Sequence, residues 1–151
     1  MPSTISSITT RLETILPKIR FEHSLRVADT AKQLAALANV NQDKAFLAGL
    51  IHDTAKPMSP GTLDEYSIKI EDLKRDVYHQ YKSVWHALIA PQVVGALFNI
   101  DDEEVLDAIE WHTTGKADMK PLTQIVFVAD FIEPGRDAVI SKEVSEIASK
   151  S

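Results

Sequence analysis

The chain has 151 residues, no cysteine and a net charge of −6. That length suits one domain whose core needs no disulfide or structural metal, and the missing thiols exclude disulfide frameworks, thiolate metal sites and cysteine nucleophiles. The acidic balance lacks the basic footprint of proteins that bind nucleic-acid polymers; a small anionic ligand would need a local positive centre, and a divalent cation is the strongest one available.

The stretch from Met1 to Ile15 carries Arg11 and Glu13 and has no basic head leading into an apolar run, which argues against a signal peptide. No window approaches the eighteen uncharged residues of a membrane span. The expectation is a cytoplasmic protein with no membrane partner.

Ile5, Ile8, Leu12, Ile15 and Leu16 follow helical spacing from Ser3 until Pro17 closes the run. A second helix is expected over about 19–38, with Val27, Ala31, Leu34, Ala35 and Ala38 on one stripe, His23 at its head, and Arg26 and Asp29 off to the side. Asn39 and Asn41 punctuate the chain, and Asn41 can cap a third helix carrying Ala45, Ala48, Gly49 and His52 on a small-residue face. The segment 56–61, with two prolines and a glycine, reads as a breaker. A short helix is expected over 63–70, and the charged segment 71–82 is weakly patterned, with His79 a surface residue. From about Ser83, His86, Ile89, Ala90, Val93 and Leu97 form a stripe in which Pro91 predicts a kink or break. Asp101 and Asp102 suit a helix start, with Glu103 and Glu104 in its first turn; Val105, Ala108, Ile109 and His112 then share a face. Pro121 opens a run over 122–132 that is apolar nearly all round and therefore central, with Asp130 its only ionisable group. Glu133-Pro134-Gly135-Arg136 ends it, and an amphipathic piece near Val144, Ile147 and Ala148 reaches the C-terminus. The expectation is an all-α bundle of about six or seven helices, one domain over 1–151, with no repeat.

His52-Asp53 ends the third helix. Taken alone, the pair reads equally well as a polar helix end or as metal ligands, because adjacent side chains about 100° apart can both bend toward one cation. His23, His52, His86 and His112 decide between these readings, since each lies on or closes an apolar stripe of a different helix. A buried neutral imidazole carries a donor and an acceptor that must both be paired. Asp130 in its apolar helix would otherwise be an unpaired or protonated carboxylate. One shared divalent cation, or two bridged by Asp53, satisfies the whole set. Nitrogen and oxygen ligands favour manganese, iron or a similar metal over structural zinc.

Four segments carry a family resemblance: Arg20-Phe21-Glu22-His23-Ser24-Leu25-Arg26-Val27-Ala28, Leu47-Ala48-Gly49-Leu50-Ile51-His52-Asp53-Thr54-Ala55-Lys56, Trp111-His112-Thr113-Thr114-Gly115 and Ala129-Asp130-Phe131-Ile132-Glu133-Pro134-Gly135-Arg136. His23, His52-Asp53 and Asp130 resemble the signature of HD-domain metal-dependent phosphohydrolases. The longer motifs are similar to the YqeK-like branch, bacterial symmetrical bis(5'-nucleosyl)-tetraphosphatases that hydrolyse diadenosine tetraphosphate to two ADP. The resemblance spans about 18–137. It implies an all-α HD-domain bundle in which His23, His52, Asp53 and Asp130 hold an iron-type metal. His86, His112, Thr113 and Arg136 would lie near the nucleotide phosphates or a second metal held by His86 and His112, and the metal ligands His23, Asp53 and Asp130 would also meet substrate. Asp53 would orient or deprotonate the attacking water. Lys56 and Arg136 would neutralise phosphoryl charge, although both also read as solvated loop charge. A homodimer is compatible with the resemblance, and members usually run on for further helices beyond the point where this chain stops. The competing expectations are an HD phosphohydrolase for another nucleotide or small phosphate ester, and a non-catalytic nucleotide-binding scaffold.

Overall fold

The computed structural model describes residues 4–70, 78 and 82–133. Among these residues the regular structure is all helical, in seven helices: α1 (Ile5–Ile15), α2 (Lys18–Ala38), α3 (Gln42–Ile51), α4 (Pro60–Glu65), α5 (Lys82–Phe98), α6 (Glu103–Trp111) and α7 (Pro121–Ile132). None of them is long and apolar enough to cross a membrane.

Most helix boundaries follow from local chemistry. Thr4, Asn41 and Asp102 cap α1, α3 and α6 by accepting backbone N–H bonds in the first turn, and Pro121 sits in the first turn of α7, where no N–H is needed. Asn39 stops α2 in the left-handed conformation, with φ of 57°.

Two expectations change. The segment 56–61 is not wholly a breaker: Ser59 and Thr62 form a reciprocal capping box and Pro60 sits in the opening turn, so α4 begins at Pro60. It ends at Glu65 rather than at 70, with Ser67 at a φ of 57° shortly beyond. Of the kink or break expected at Pro91, the break does not occur: α5 continues through it to Phe98. Trp85, Ile89, Ala90, Val93, Val94 and Phe98 along its length are fully buried. Tertiary burial on this scale outweighs one missing backbone hydrogen bond.

Helix α2 packs on α3 and α7, α3 on α6 and α7, and α6 on α5, while α1 lies across α2 and α3. These contacts share one hydrophobic core, to which α4 contributes Leu63. The stripe of α2 is buried at Val27, Ala31 and Ala35 but runs out at Ala38, which is exposed where the chain turns at Asn39. Helix α7 is buried at Leu122, Ile125, Val126, Ala129 and Ile132 yet leaves Phe131 about half exposed. From within α1, Arg11 donates to the carbonyl of Leu97 at 2.6 Å, tying down an orphan acceptor in the last turn of α5.

The tightest approach is between α2 and α3. A Cβ added to Gly49 would stand 2.8 Å from Cα and 2.9 Å from N of Ala28, and 3.0 Å from the Val27 carbonyl oxygen. All three are backbone atoms that cannot swing aside, so α2 itself would have to move. Gly49→Ala is expected to destabilise the protein by about 1–3 kcal/mol through overpacking, measured as a drop in denaturation midpoint with an unchanged denaturant slope. A midpoint at or above wild type would show that the two helices separate freely.

Candidate metal centre

Helices α3 and α6 have nearly equal lengths, ten and nine residues, and they run side by side in the same direction. Near their starts, Lys44 Nζ lies 3.0 Å from carboxylates of both Asp102 and Glu104. At their far ends the rings of His52 and His112 meet edge to face, with centroids 4.9 Å apart. Each histidine closes its helix, where the last carbonyls have no partner within the helix. The Nδ1–H of His52 donates to Gly49 and that of His112 to Ile109, both at 2.6 Å. One local device, used twice, fixes each ring and leaves Nε2 as the nitrogen available to other groups.

Two further helices complete the cluster. His23, in the second turn of α2, places Nε2 2.9 Å from Asp130 Oδ1, in the last turn of α7, and 3.7 Å from Asp53 Oδ2. His52 Nε2 lies 3.4 Å from an oxygen of both Asp53 and Asp130, and His112 Nε2 lies 3.7 Å from Asp53 Oδ1. His52, Asp53 and His112 are buried. His23, His52 and Asp130 form one group, and His52, Asp53 and His112 a second, whose ligand atoms all lie within 4.8 Å of one another. His52 belongs to both.

The residues fit a divalent cation. Nε2 of His52 is fully buried with no hydrogen-bond partner, an arrangement that is unfavourable for a ring nitrogen unless something else occupies its lone pair. Around it stand imidazole and carboxylate donors and no thiolate, a set suited to first-row divalent metals. Without such a cation His52 and Asp53 favour each other's charged forms. Burial opposes charging His52, but the Asp53 carboxylate, and after it Asp130, outweigh burial and push its pKa up to about 9. Burial also opposes ionising Asp53, yet His52 foremost, with His112 and Lys56, holds its carboxyl well below the usual range.

Two openings lead to the cluster. A cleft of about 400 Å³ is lined by His23, Asp53 and Glu133 together with the cations Arg20, Arg26 and Lys56. A smaller cavity of about 90 Å³ is lined by His52, Asp53, Lys56, His86, His112 and Thr113. Asp53 and Lys56 face both. His86 thus lies on the cavity wall, its ring 5.7 Å from that of Trp85, outside the two groups of converging ligand atoms. The Thr113 hydroxyl is 3.0 Å from His112 Nε2. Arg136, His79 and the amphipathic piece near Val144 lie outside the described residues.

The sequence reading misses two participants and misplaces one. Arg26, expected off to the side, instead bonds through Nε to Glu133 at 2.6 Å, and Glu133 is almost wholly buried, with its other oxygen 3.2 Å from His23 Nδ1. Arg20 joins the cleft wall from the turn before His23. The missed signal is an offset: Arg26 follows His23 by three residues and Glu133 follows Asp130 by three, so the faces that bring one pair together bring the other as well.

The HD domain family model matches residues 20–135. The chain belongs to the HD-domain family. Its relatives include the symmetrical bis(5'-nucleosyl)-tetraphosphatase of Staphylococcus aureus, 37% identical over 121 residues, covering 80% of this chain and 62% of the relative. The Bacillus subtilis protein of the same description is 32% identical over 133 residues, covering 88% and 71%. The chain thus spans less than two thirds of the Staphylococcus aureus relative's length. The crystal structure of a predicted HD superfamily hydrolase involved in NAD metabolism from Clostridium acetobutylicum superposes with a TM-score of 0.85 at 34% identity, covering all of this chain and 80% of that one. The His-Asp cluster of this HD domain lies inside the matched region.

The metal-free HD domain should show a specific pH dependence. The raised pKa of His52 contributes stability that is full below its ordinary value of 6.5 and is lost as pH rises through about 9. The lowered pKa of Asp53 contributes stability present above its ordinary value of 3.8 and lost as pH falls through the depressed one. Chelator-stripped protein is expected to lose Tm between those two His52 values, and stripped His52→Gln to lose much less over the same interval. Equal slopes for the two proteins would contradict the pairing.

Proposed function

We propose that this chain is a metal-dependent hydrolase that cleaves dinucleoside polyphosphates symmetrically, diadenosine tetraphosphate giving two ADP. Its metal ligands in this reading are His23, His52, Asp53 and Asp130, with iron the metal and His112 beside it. The observation that carries the reading is the buried, unpartnered Nε2 of His52 at the meeting point of these side chains. Support comes from tetraphosphatase relatives that share the matched region.

A divalent cation bound there would acidify water to give a nucleophile at neutral pH and would draw charge from phosphoryl oxygens. The chain's own residues do the positioning. Asp53, buried with its two oxygens 3.7 Å from His23 Nε2 and His112 Nε2, would orient the attacking water by accepting its hydrogen bond. His23 and His52 turn their Nε2 atoms inward through bonds made by their Nδ1 atoms to Glu133 and Gly49. Lys56, facing both openings, and Arg20 and Arg26 along the cleft place positive charge beside a polyphosphate chain. Arg136 adds to that charge, while His86, His112 and Thr113 contact phosphate from the smaller cavity. In-line displacement at a phosphorus of the bridge then releases ADP, whose developing charge these cations offset.

Anaerobic purification with metal analysis, followed by incubation with diadenosine tetraphosphate and separation of products, tests the reading. ADP as sole product, stopped by a chelator, is expected. His52→Ala and Asp53→Ala should each lose bound metal and reduce turnover by at least ~100-fold. AMP with ATP would refute symmetrical cleavage, and wild-type metal content with full turnover in both variants would refute the site.

A further inference from the structure

Glu133 is nearly fully buried, yet it is not one of the converging ligand groups. A buried carboxylate needs compensation from each of its oxygens. One oxygen accepts from His23 Nδ1 at 3.2 Å and the other from Arg26 Nε at 2.6 Å. His23 reaches the His-Asp cluster from this bond; Arg26 lines the cleft. The carboxylate therefore stands between the metal side and the cleft side of one site.

We propose that Glu133 is a positioning residue serving both sides, turning His23 so that Nε2 faces the cation and holding Arg26 as part of an anion subsite for the polyphosphate chain. This rests on the metal reading above. A carboxylate behind a ligating histidine fixes ring orientation and raises ligand basicity, and losing it weakens metal affinity by about 10–100-fold. Toward the cleft, the Arg26–Glu133 bond uses Nε alone, so the guanidinium retains its Nη groups for phosphate oxygens. The side-chain torsions of a free arginine carry substantial rotamer entropy; a bond at Nε removes part of it before substrate arrives. Glu133→Gln keeps size and shape, but a neutral amide offers a single acceptor oxygen and so cannot serve both partners.

The test uses chelator-stripped protein and two probes, Mn²⁺ followed by its paramagnetic resonance signal and inorganic tripolyphosphate followed by calorimetry on the Mn²⁺-loaded protein. Glu133→Gln is expected to bind Mn²⁺ about 10–100-fold more weakly and tripolyphosphate more weakly as well. At saturating Mn²⁺ its kcat should recover while its KM for diadenosine tetraphosphate stays raised, a split that a general loss of packing would not give. Arg26→Gln, at a side chain about a third exposed, should keep wild-type Mn²⁺ affinity and lose tripolyphosphate affinity, which tests the cleft side even where Glu133→Gln fails to fold. Wild-type Mn²⁺ affinity in folded Glu133→Gln, or unchanged tripolyphosphate affinity in Arg26→Gln, would overturn the proposal. Wild-type protein that binds no Mn²⁺ would instead refute the metal reading on which it rests.

Discussion

The hydrogen bond from His52 Nδ1 to the Gly49 carbonyl, at 2.6 Å, is the contact on which the rest of the site depends. Gly49 enters it twice. Its missing Cβ allows α2 to approach to backbone distance, which brings His23 opposite the end of α3, and its carbonyl holds the ring of His52. A side chain there would push α2 away and shift the acceptor in the same movement. Interiors packed this densely do not absorb such a change locally.

The parallel pairing of α3 and α6 extends the same logic. Two helices of nearly equal length, capped by Asn41 and Asp102, deliver a histidine each to one point. The Lys44 bridges at their starts add little stability, since ion pairs open to solvent contribute little. From the other side, α2 and α7 bring His23 and Asp130. Four helix ends or end-proximal turns thus converge, and their polar groups bond largely to one another, with His52 Nε2 left unpartnered at the meeting point.

Much of this was legible in the sequence because the informative residues punctuate patterns. Asn41, Asp102 and Pro121 mark helix starts by their chemistry, and His23, His52 and His112 stand out because each interrupts or closes an apolar stripe. Asp130 stands out because nothing else in its helix ionises. The Arg26–Glu133 pair was hidden for the opposite reason. Arg26 sits on the flank of its stripe, Glu133 closes α7 beside a proline, and 107 positions separate them. Only knowing which faces of α2 and α7 meet reveals the contact. The start of α4 is hard to read from the sequence because proline, unfavourable in most helix interiors, is well suited to a helix's first turn. The capping box that reverses their meaning lies in Ser59 and Thr62, just around them.

In this member of the HD-domain family, a cation held by the cluster would give an acidic chain a local means of holding an anionic substrate, with Arg20, Arg26 and Lys56 lining the cleft beside it. The most direct measurement of that claim is anomalous diffraction at the iron and manganese edges from crystals grown anaerobically without chelator. The expected result is a peak within bonding distance of His52 Nε2, with His23, Asp53 and Asp130 around it. Density for a water bonded to His52 Nε2 with no anomalous signal, or a metal peak elsewhere on the protein, would contradict it.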